Sequence, residues 1–253
     1  LHEYAESSEK NEMDYKIKGG NIKLAEKIAE KIGIENVKLN HRAIEIVQSD
    51  GKVTIICQND IKFECDKIVC SIPTYSMSKI EWKPSLPQEK LDAVNQLQYA
   101  RINKNVFLFD ERFWRDESFD MVTDVYGHYF YHGTKNQKSK KGALISYSIG
   151  DKADVIHRQN KEFKKEVAVN SLKAAFGDVS DKILKQVNYY WGIDSYSKGA
   201  YAFYGKGQWF KIMPALKSPF LNVHFAGEHL ADWQGFMEGA VNSGEEAAEE
   251  IMG

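Results

Sequence analysis

Cysteine is scarce: Cys57, Cys65 and Cys70 are the only three in 253 residues. An odd number without framework spacing excludes a disulfide-stapled secreted scaffold and points to reduced thiols in a reducing compartment. No cysteine pair has zinc-site spacing. His224 and His229 are poorly spaced for a metal pair, so no metal is expected. No apolar run approaches the ~20 residues of a membrane span. The opening residues also lack the basic, apolar, small-residue order of a secretory leader, so the expectation is a cytoplasmic protein with no membrane partner. An excess of one charge is missing too. Lys and Arg number 34 against 36 Asp and Glu, a net −2, which argues against a nucleic-acid partner. Ser195, Ser197 and Ser243 lack the His–Asp partnership of a hydrolase triad. There is no internal repeat and no low-complexity tract. Finally, no Gly-x-Gly-x-x-Gly follows a strand anywhere; Gly205-Lys-Gly207 stands in the wrong context.

What is present reads as an α/β chain in α+β form. Residues 1–18 are polar without a clear period. Asn21 is placed to cap a helix whose apolar residues Ile22, Ala25, Ile28, Ala29 and Ile32 share one stripe, with Gly33 just past its end. Short runs punctuated by turn residues follow: a strand at Val37–Leu39, then strands around the Asp50–Gly51 and Asn59–Asp60 turns. A more deeply buried strand is expected at Lys67–Ile72. After Pro73 the character changes. The pattern predicts a helix from Pro87 to about Gln98, a strand at Ile102–Phe109, an aromatic-rich segment at Met121–Tyr131, and a strand at Ala143–Ser148. A charged amphipathic helix over Asn160–Phe176 and a strand at Lys185–Trp191 follow. The early and final segments share α/β character, and residues 74–217 read as an insertion between them.

The last stretch, Val223 to Met252, organises the rest. Val223, Phe225 and Ala226 predict a buried strand ending at Gly227. A loop with Trp233 and Gly235 leads to a helix starting near Phe236–Met237. Gly239, Ala240, Ser243, Gly244, Ala247 and Ala248 give that helix a smooth face for close packing. Its first amide N–H groups lack internal partners, which suits an anionic or electron-rich ligand group. The sequence FAGEH…GFMEGAVNSGEEAA resembles the C-terminal flavin signature of the FAD-dependent amine oxidases, the monoamine, polyamine and L-amino-acid oxidases. The resemblance extends over nearly the whole chain from Gly19. It implies an FAD-binding domain, residues 1–73 and 218–253, interrupted by a substrate domain, 74–217, with a mixed or antiparallel sheet and flanking helices. The FAD-binding domain is incomplete, because the family's pyrophosphate-binding turn belongs to an N-terminal half of comparable length. That half is therefore an expected partner, and the isolated chain is expected to hold no FAD.

The same resemblance assigns roles. Lys104, in a K-x-V-F-L-F-x-x-x-F-W segment with Phe113 and Trp114, matches the lysine that holds a water at flavin N5; Lys79 and Lys83 are the competing, surface-facing lysines. Trp191 and Tyr201, in a W…YS-x-G-x-Y element, match the tryptophan packed beside the flavin and one aromatic wall for the substrate amine. Phe236 is the opposite wall. Gly227, Glu228, Gly235, Phe236 and Met237 match the cofactor-binding loop and helix start. Ala43 matches the backbone position at the adenine. Ala200 stands where covalent-flavin members carry cysteine, so FAD is expected to be non-covalent. His128, Tyr129 and Tyr131 are candidate pocket residues. The implied activity is oxidative deamination of a small-molecule amine or L-amino acid, with hydride transfer to FAD N5, dioxygen as acceptor and hydrogen peroxide released. The related desaturases and porphyrinogen oxidases generally lack the paired aromatic cage, so Tyr201 with Phe236 disfavours them. A non-catalytic fragment, acting as a binding or scaffolding piece, is the rival of another class. A homo-oligomer is left open.

Overall fold

The computed structural model describes residues 17–115 and 119–253; most of the polar opening stretch lies outside them. Helix α1 spans Ile22–Ile32. The meander follows as β1 (Ala43–Ser49), β2 (Lys52–Cys57) and β3 (Lys62–Cys65), then β4 (Ile68–Cys70). Short α2 (Thr74–Met77), β5 (Glu81–Lys83), α3 (Gln88–Gln96) and β6 (Gln98–Tyr99) complete the first hundred residues. The middle of the chain holds β7 (Ile102–Phe109), β8 (Asp120–Val122), β9 (Tyr129–His132), β10 (Gly142–Ile149), α4 (Gly150–Arg158), α5 (Lys161–Phe176) and β11 (Ile183–Tyr190). It closes with β12 (Ala202–Phe203), α6 (Gln208–Lys211), α7 (Met213–Lys217), β13 (Val223–Phe225) and α8 (Met237–Met252).

These elements form two compact units. One comprises Arg101–Ile193 with the described residues up to Asn36. The other comprises Val37–Ala100 and Asp194–Gly253. In the second unit β1 pairs antiparallel with β2, and β2 with β3. Asp50 (φ 53°) and Gly51 (φ 74°) make the turn between the first pair, since two positive φ values match the right-handed twist of the strands. β5 joins the other edge of β1 in parallel. β4 and β13 form a separate parallel pair, with Val223 opposite Ile68 and Phe225 opposite Cys70. All three β13 residues are buried, as expected of a parallel strand covered on both faces. Trp82, Met77, Val94, Leu97, Leu216, Val223, Phe225 and Leu230 share one core. Lys90 is buried within this unit, and its Nζ donates to the carbonyls of Ala215 (2.6 Å) and Leu216 (2.9 Å) at the end of α7.

The first unit is built on an antiparallel sheet in the order β11-β7-β10-β9-β8. The alternation along β7 puts Phe107 and Phe109 on the face that meets Phe130, Leu144, Ala168 and Leu172. Helix α5 begins where expected: the Asn160 side chain accepts from the Phe163 N–H at 2.8 Å, the N-cap bond that satisfies an orphan donor.

Two expectations are corrected. Val37–Leu39 forms no strand: Asn40 turns the chain at φ 62°, and a three-residue segment with no neighbour to bond cannot hold a ladder. Asn21 does not cap α1 through its side chain, because its own backbone is already helical. The stripe of α1 exists but stays uncovered among the described residues, with Ile22, Ile28 and Ile32 at 61%, 47% and 56% exposure. Helix α4 was not anticipated.

Candidate functional site

The chain after β13 makes a sharp passage. Ala226 is buried, Gly227 has φ 130°, and a short 3-10 turn over Glu228–Leu230 follows. Ser243, on the second turn of α8, secures this passage. Its Oγ accepts from the Gly227 N–H at 2.9 Å, and it lies 3.2 Å from the Gly227 carbonyl and 2.9 Å from that of Ala240. The packed side of α8 is Gly239, Ser243 and Ala247, the i, i+4, i+8 line through the small-residue face. Ala248, on the same predicted face, is exposed.

Glu228 is mostly buried and serves two loops at once. Its Oε1 accepts from the Ala202 N–H at 3.1 Å and from the Gly235 N–H at 2.9 Å. Burial pushes its carboxyl above the usual carboxylate value, and the two amide donors pull it back. Tyr201, the residue before Ala202, follows a cis Ala200–Tyr201 peptide. Its ring lies against Gly235: a Cβ built there would sit 3.3 Å from Tyr201 Cγ. Phe236, the residue after Gly235, is the N-cap of α8 and offers no side-chain acceptor to the first turn. Its ring meets Trp233 edge-on at 6.3 Å. So Tyr201, Gly227, Glu228, Gly235, Phe236 and Met237 are brought together within the second unit. Ala43 belongs to this unit as the first residue of β1, opposite Cys57 where the register shifts.

Lys104 and Trp191 belong to the first unit, on or beside the less buried face of its sheet. Lys104 lies opposite Tyr147 on one side and Tyr189 on the other, and Tyr147 lies opposite Tyr129. Register partners share a face, so Tyr189, Lys104, Tyr147 and Tyr129 form one row across four strands. The Lys104 ammonium stands 5.5 Å from the Tyr147 ring centre, a cation–π distance. Trp191 meets Tyr189 at 4.8 Å, and Tyr129 stacks with Tyr131 at 5.6 Å. His128 sits in the turn before β9 at φ 56°. Lys83 pairs with Glu45 and Glu81 at the surface, and Lys79 lies over Tyr75. Sequence reasoning missed Tyr147 and Tyr189; alternation marks them as facing together, but only the register puts them beside Lys104. No group of His, Cys, Asp and Glu among the described residues could hold a metal ion. No described helix is long and apolar enough to cross a membrane.

Residues 3–252 match the family model described as flavin containing amine oxidoreductase, and the chain belongs to that family. It is 29% identical over 246 residues to the flavin-containing amine oxidase A of Equus caballus, covering 94% of this chain and 46% of that protein. The L-amino-acid oxidase of Crotalus adamanteus is 25% identical over 237 residues, covering 89% and 45%. A putrescine oxidase solved with putrescine shares the fold at TM-score 0.85 and 22% identity, covering 93% of this chain and 53% of that one. The chain thus spans about half the length of the relatives it matches. The family's cofactor is FAD, and the mixed α/β fold is that of the solved amine oxidases.

The second unit offers groups able to hold such a cofactor. Both amide bonds to Glu228 land on Oε1, which leaves Oε2 to accept from a ligand hydroxyl. Gln234 Oε1 is a buried acceptor with no partner. The first N–H groups of the sixteen-residue α8 carry no side-chain cap, and a helix start of this kind favours developing negative charge.

Proposed function

We propose that this chain is the C-terminal part of an FAD-dependent oxidase that oxidatively deaminates an amine or L-amino acid. The observation that carries this is Glu228, whose one oxygen gathers the Tyr201 and Phe236 segments at the start of α8 while the other stays available. When bound, FAD would supply the redox chemistry, as acceptor at N5 of a hydride from the amine-bearing carbon and donor of the electron pair to dioxygen, with hydrogen peroxide released. The chain's own residues bind and orient. Glu228 Oε2 and the Met237 helix start hold the ribityl and pyrimidine ends, with Gly227 and Gly235 allowing close approach and the Ala43 backbone at the adenine. Tyr201 and Phe236 face the amine with two π-surfaces and exclude water from the reacting carbon. Lys104 Nζ holds a water, and Trp191 packs at the flavin. Ala200, in place of a linking cysteine, makes the attachment non-covalent. In this reading residues 1–73 and 218–253 serve the cofactor and 74–217 the substrate, and the protein works in the cytoplasm.

A second reading, a non-catalytic fragment or binding piece that cannot hold FAD alone, is favoured by the missing Gly-x-Gly-x-x-Gly and by the stripe of α1, uncovered among the described residues. The two readings divide on one experiment. The chain is purified alone and together with a flavin-binding half, and flavin absorbance and peroxide release are measured over a broad amine and amino-acid panel. The expected result is a colourless chain alone and a yellow, peroxide-producing complex. A completed complex that binds flavin but oxidises none of the panel would sink the oxidase, and a yellow preparation of this chain alone would sink the fragment reading.

A further inference from the structure

The two aromatic residues proposed to frame the amine come from segments far apart in sequence, and the backbone of each is tied down where its side chain departs. The peptide joining Tyr201 to Ala202 is gripped at both ends: its carbonyl accepts from the Ala100 N–H at 2.8 Å, and its N–H donates to Glu228 Oε1. That grip prevents the peptide plane from rotating, and so fixes the direction in which the Tyr201 side chain leaves the backbone. On the other side, Gly235 has φ 85° and its N–H donates to the same oxygen. Phe236 N–H then reaches back to the Trp233 carbonyl. A carboxylate oxygen accepting two amide donors forms stronger bonds than a neutral acceptor would, and the mostly buried position keeps water from competing.

Resting on the oxidase reading, we propose that Glu228 is a positioning residue that sets the spacing of the Tyr201 and Phe236 rings by tying the Ala202 and Gly235 amides to a single oxygen. Its role toward the cofactor uses the other oxygen, so the two functions are separable. Glu228→Gln keeps a carbonyl oxygen that can accept both amides. Glu228→Ala removes the tie. Glu228→Asp withdraws it by one methylene.

Amide hydrogen exchange of the purified chain reads this directly, without flavin. In the wild-type protein the Ala202 and Gly235 amides are expected to exchange slowly; rapid exchange at either overturns the proposal, whether or not the variants fold. Glu228→Ala and Glu228→Asp are expected to speed exchange at these two amides by about tenfold or more, the scale of one lost hydrogen bond. The β1–β2 amides should be unchanged and Glu228→Gln should restore protection. Acceleration spread evenly through the second unit, no acceleration at the pair, or a Glu228→Gln protein as open as Glu228→Ala would each overturn it. Such a failure leaves the oxidase reading standing, because that reading fails only in the completed enzyme.

Discussion

Gly239 and Trp233 approach so closely that a Cβ on the glycine would lie 2.2 Å from the tryptophan's carbonyl oxygen. The start of α8, the loop before it and Phe236 at their junction are therefore one packed object. Gly239→Ala should push the helix off the loop and cost about 2 kcal/mol or more, as overpacking does in a well-filled core. Gly244 lies in the same helix, and a methyl group there would meet nothing within 4 Å. Gly244→Ala should therefore stabilise by ~0.5–1 kcal/mol through helix propensity. Denaturant unfolding of the two variants tests this, and shifts of the same sign would contradict the packing.

Ser243 offers a second handle on the same passage. Its hydroxyl is the acceptor shown for the Gly227 N–H, so Ser243→Ala leaves that half-buried amide without this partner. A loss of ~1–3 kcal/mol is expected. In the enzyme completed by its flavin-binding half, retention of flavin through gel filtration should fall as well. A variant as stable as the parent would show that Gly227 is held by its backbone geometry alone.

Lys90 is a buried cation satisfied by the two carbonyls at the end of α7 and by the Phe225 ring, 4.0 Å away. Burial pushes its ammonium down to about 8. Lys90→Met keeps the stem and relieves the desolvated charge, but it strands the Leu216 carbonyl; that of Ala215 still accepts from the Ser218 hydroxyl at 3.0 Å. The net expectation is a loss of ~2 kcal/mol in thermal or urea unfolding, because a buried unmet acceptor costs more than the pairing contributes. An unchanged midpoint would mean that water replaces the ammonium.

His229 makes stability depend on pH. Burial pushes its imidazole down to about 4, against an ordinary value near 6.5. Between those values the unfolded chain binds the proton that the folded chain refuses. Its contribution is therefore fully present above pH ~6.5 and is lost as pH falls towards 4, on the order of 3 kcal/mol in all. Glu228, shifted upward, acts in the opposite sense on acidification. The difference between the parent and His229→Gln isolates the histidine: the variant's unfolding free energy should fall less between pH 7 and 4.5. Parallel curves would disprove the assignment.

The elements that position these residues were readable because each declares itself within a dozen residues. Alternation over Ile102–Phe109, the Asn160 cap and the small residues after Met237 all produced the expected β7, α5 and α8. The Gly239 line was legible for the same reason. The tie from Glu228 to Ala202 was not, since its partner lies 26 residues earlier and no local pattern encodes that distance. The row of Tyr189, Lys104, Tyr147 and Tyr129 likewise depends on the register of four strands, which period-2 alternation leaves open. Val37–Leu39 failed as a strand because β-branched and apolar residues supply propensity but not a neighbouring ladder.

That row makes the last prediction specific. Lys104 shares its face with exposed Lys185, opposite Leu108 on β7, but only Lys104 has tyrosines in register on both sides. If its ammonium holds a water for the reaction, Lys104→Met should lower kcat/KM of the completed enzyme by about 100-fold or more, as loss of a positioned proton-transfer group does. Lys185→Met, removing the same charge from the same face, should leave it within about threefold, because an exposed charge is screened over about 10 Å. Circular dichroism should show both variants folded. Equal losses in the two would mean that the face acts through its general positive potential, and no loss in Lys104→Met would remove the lysine from the mechanism.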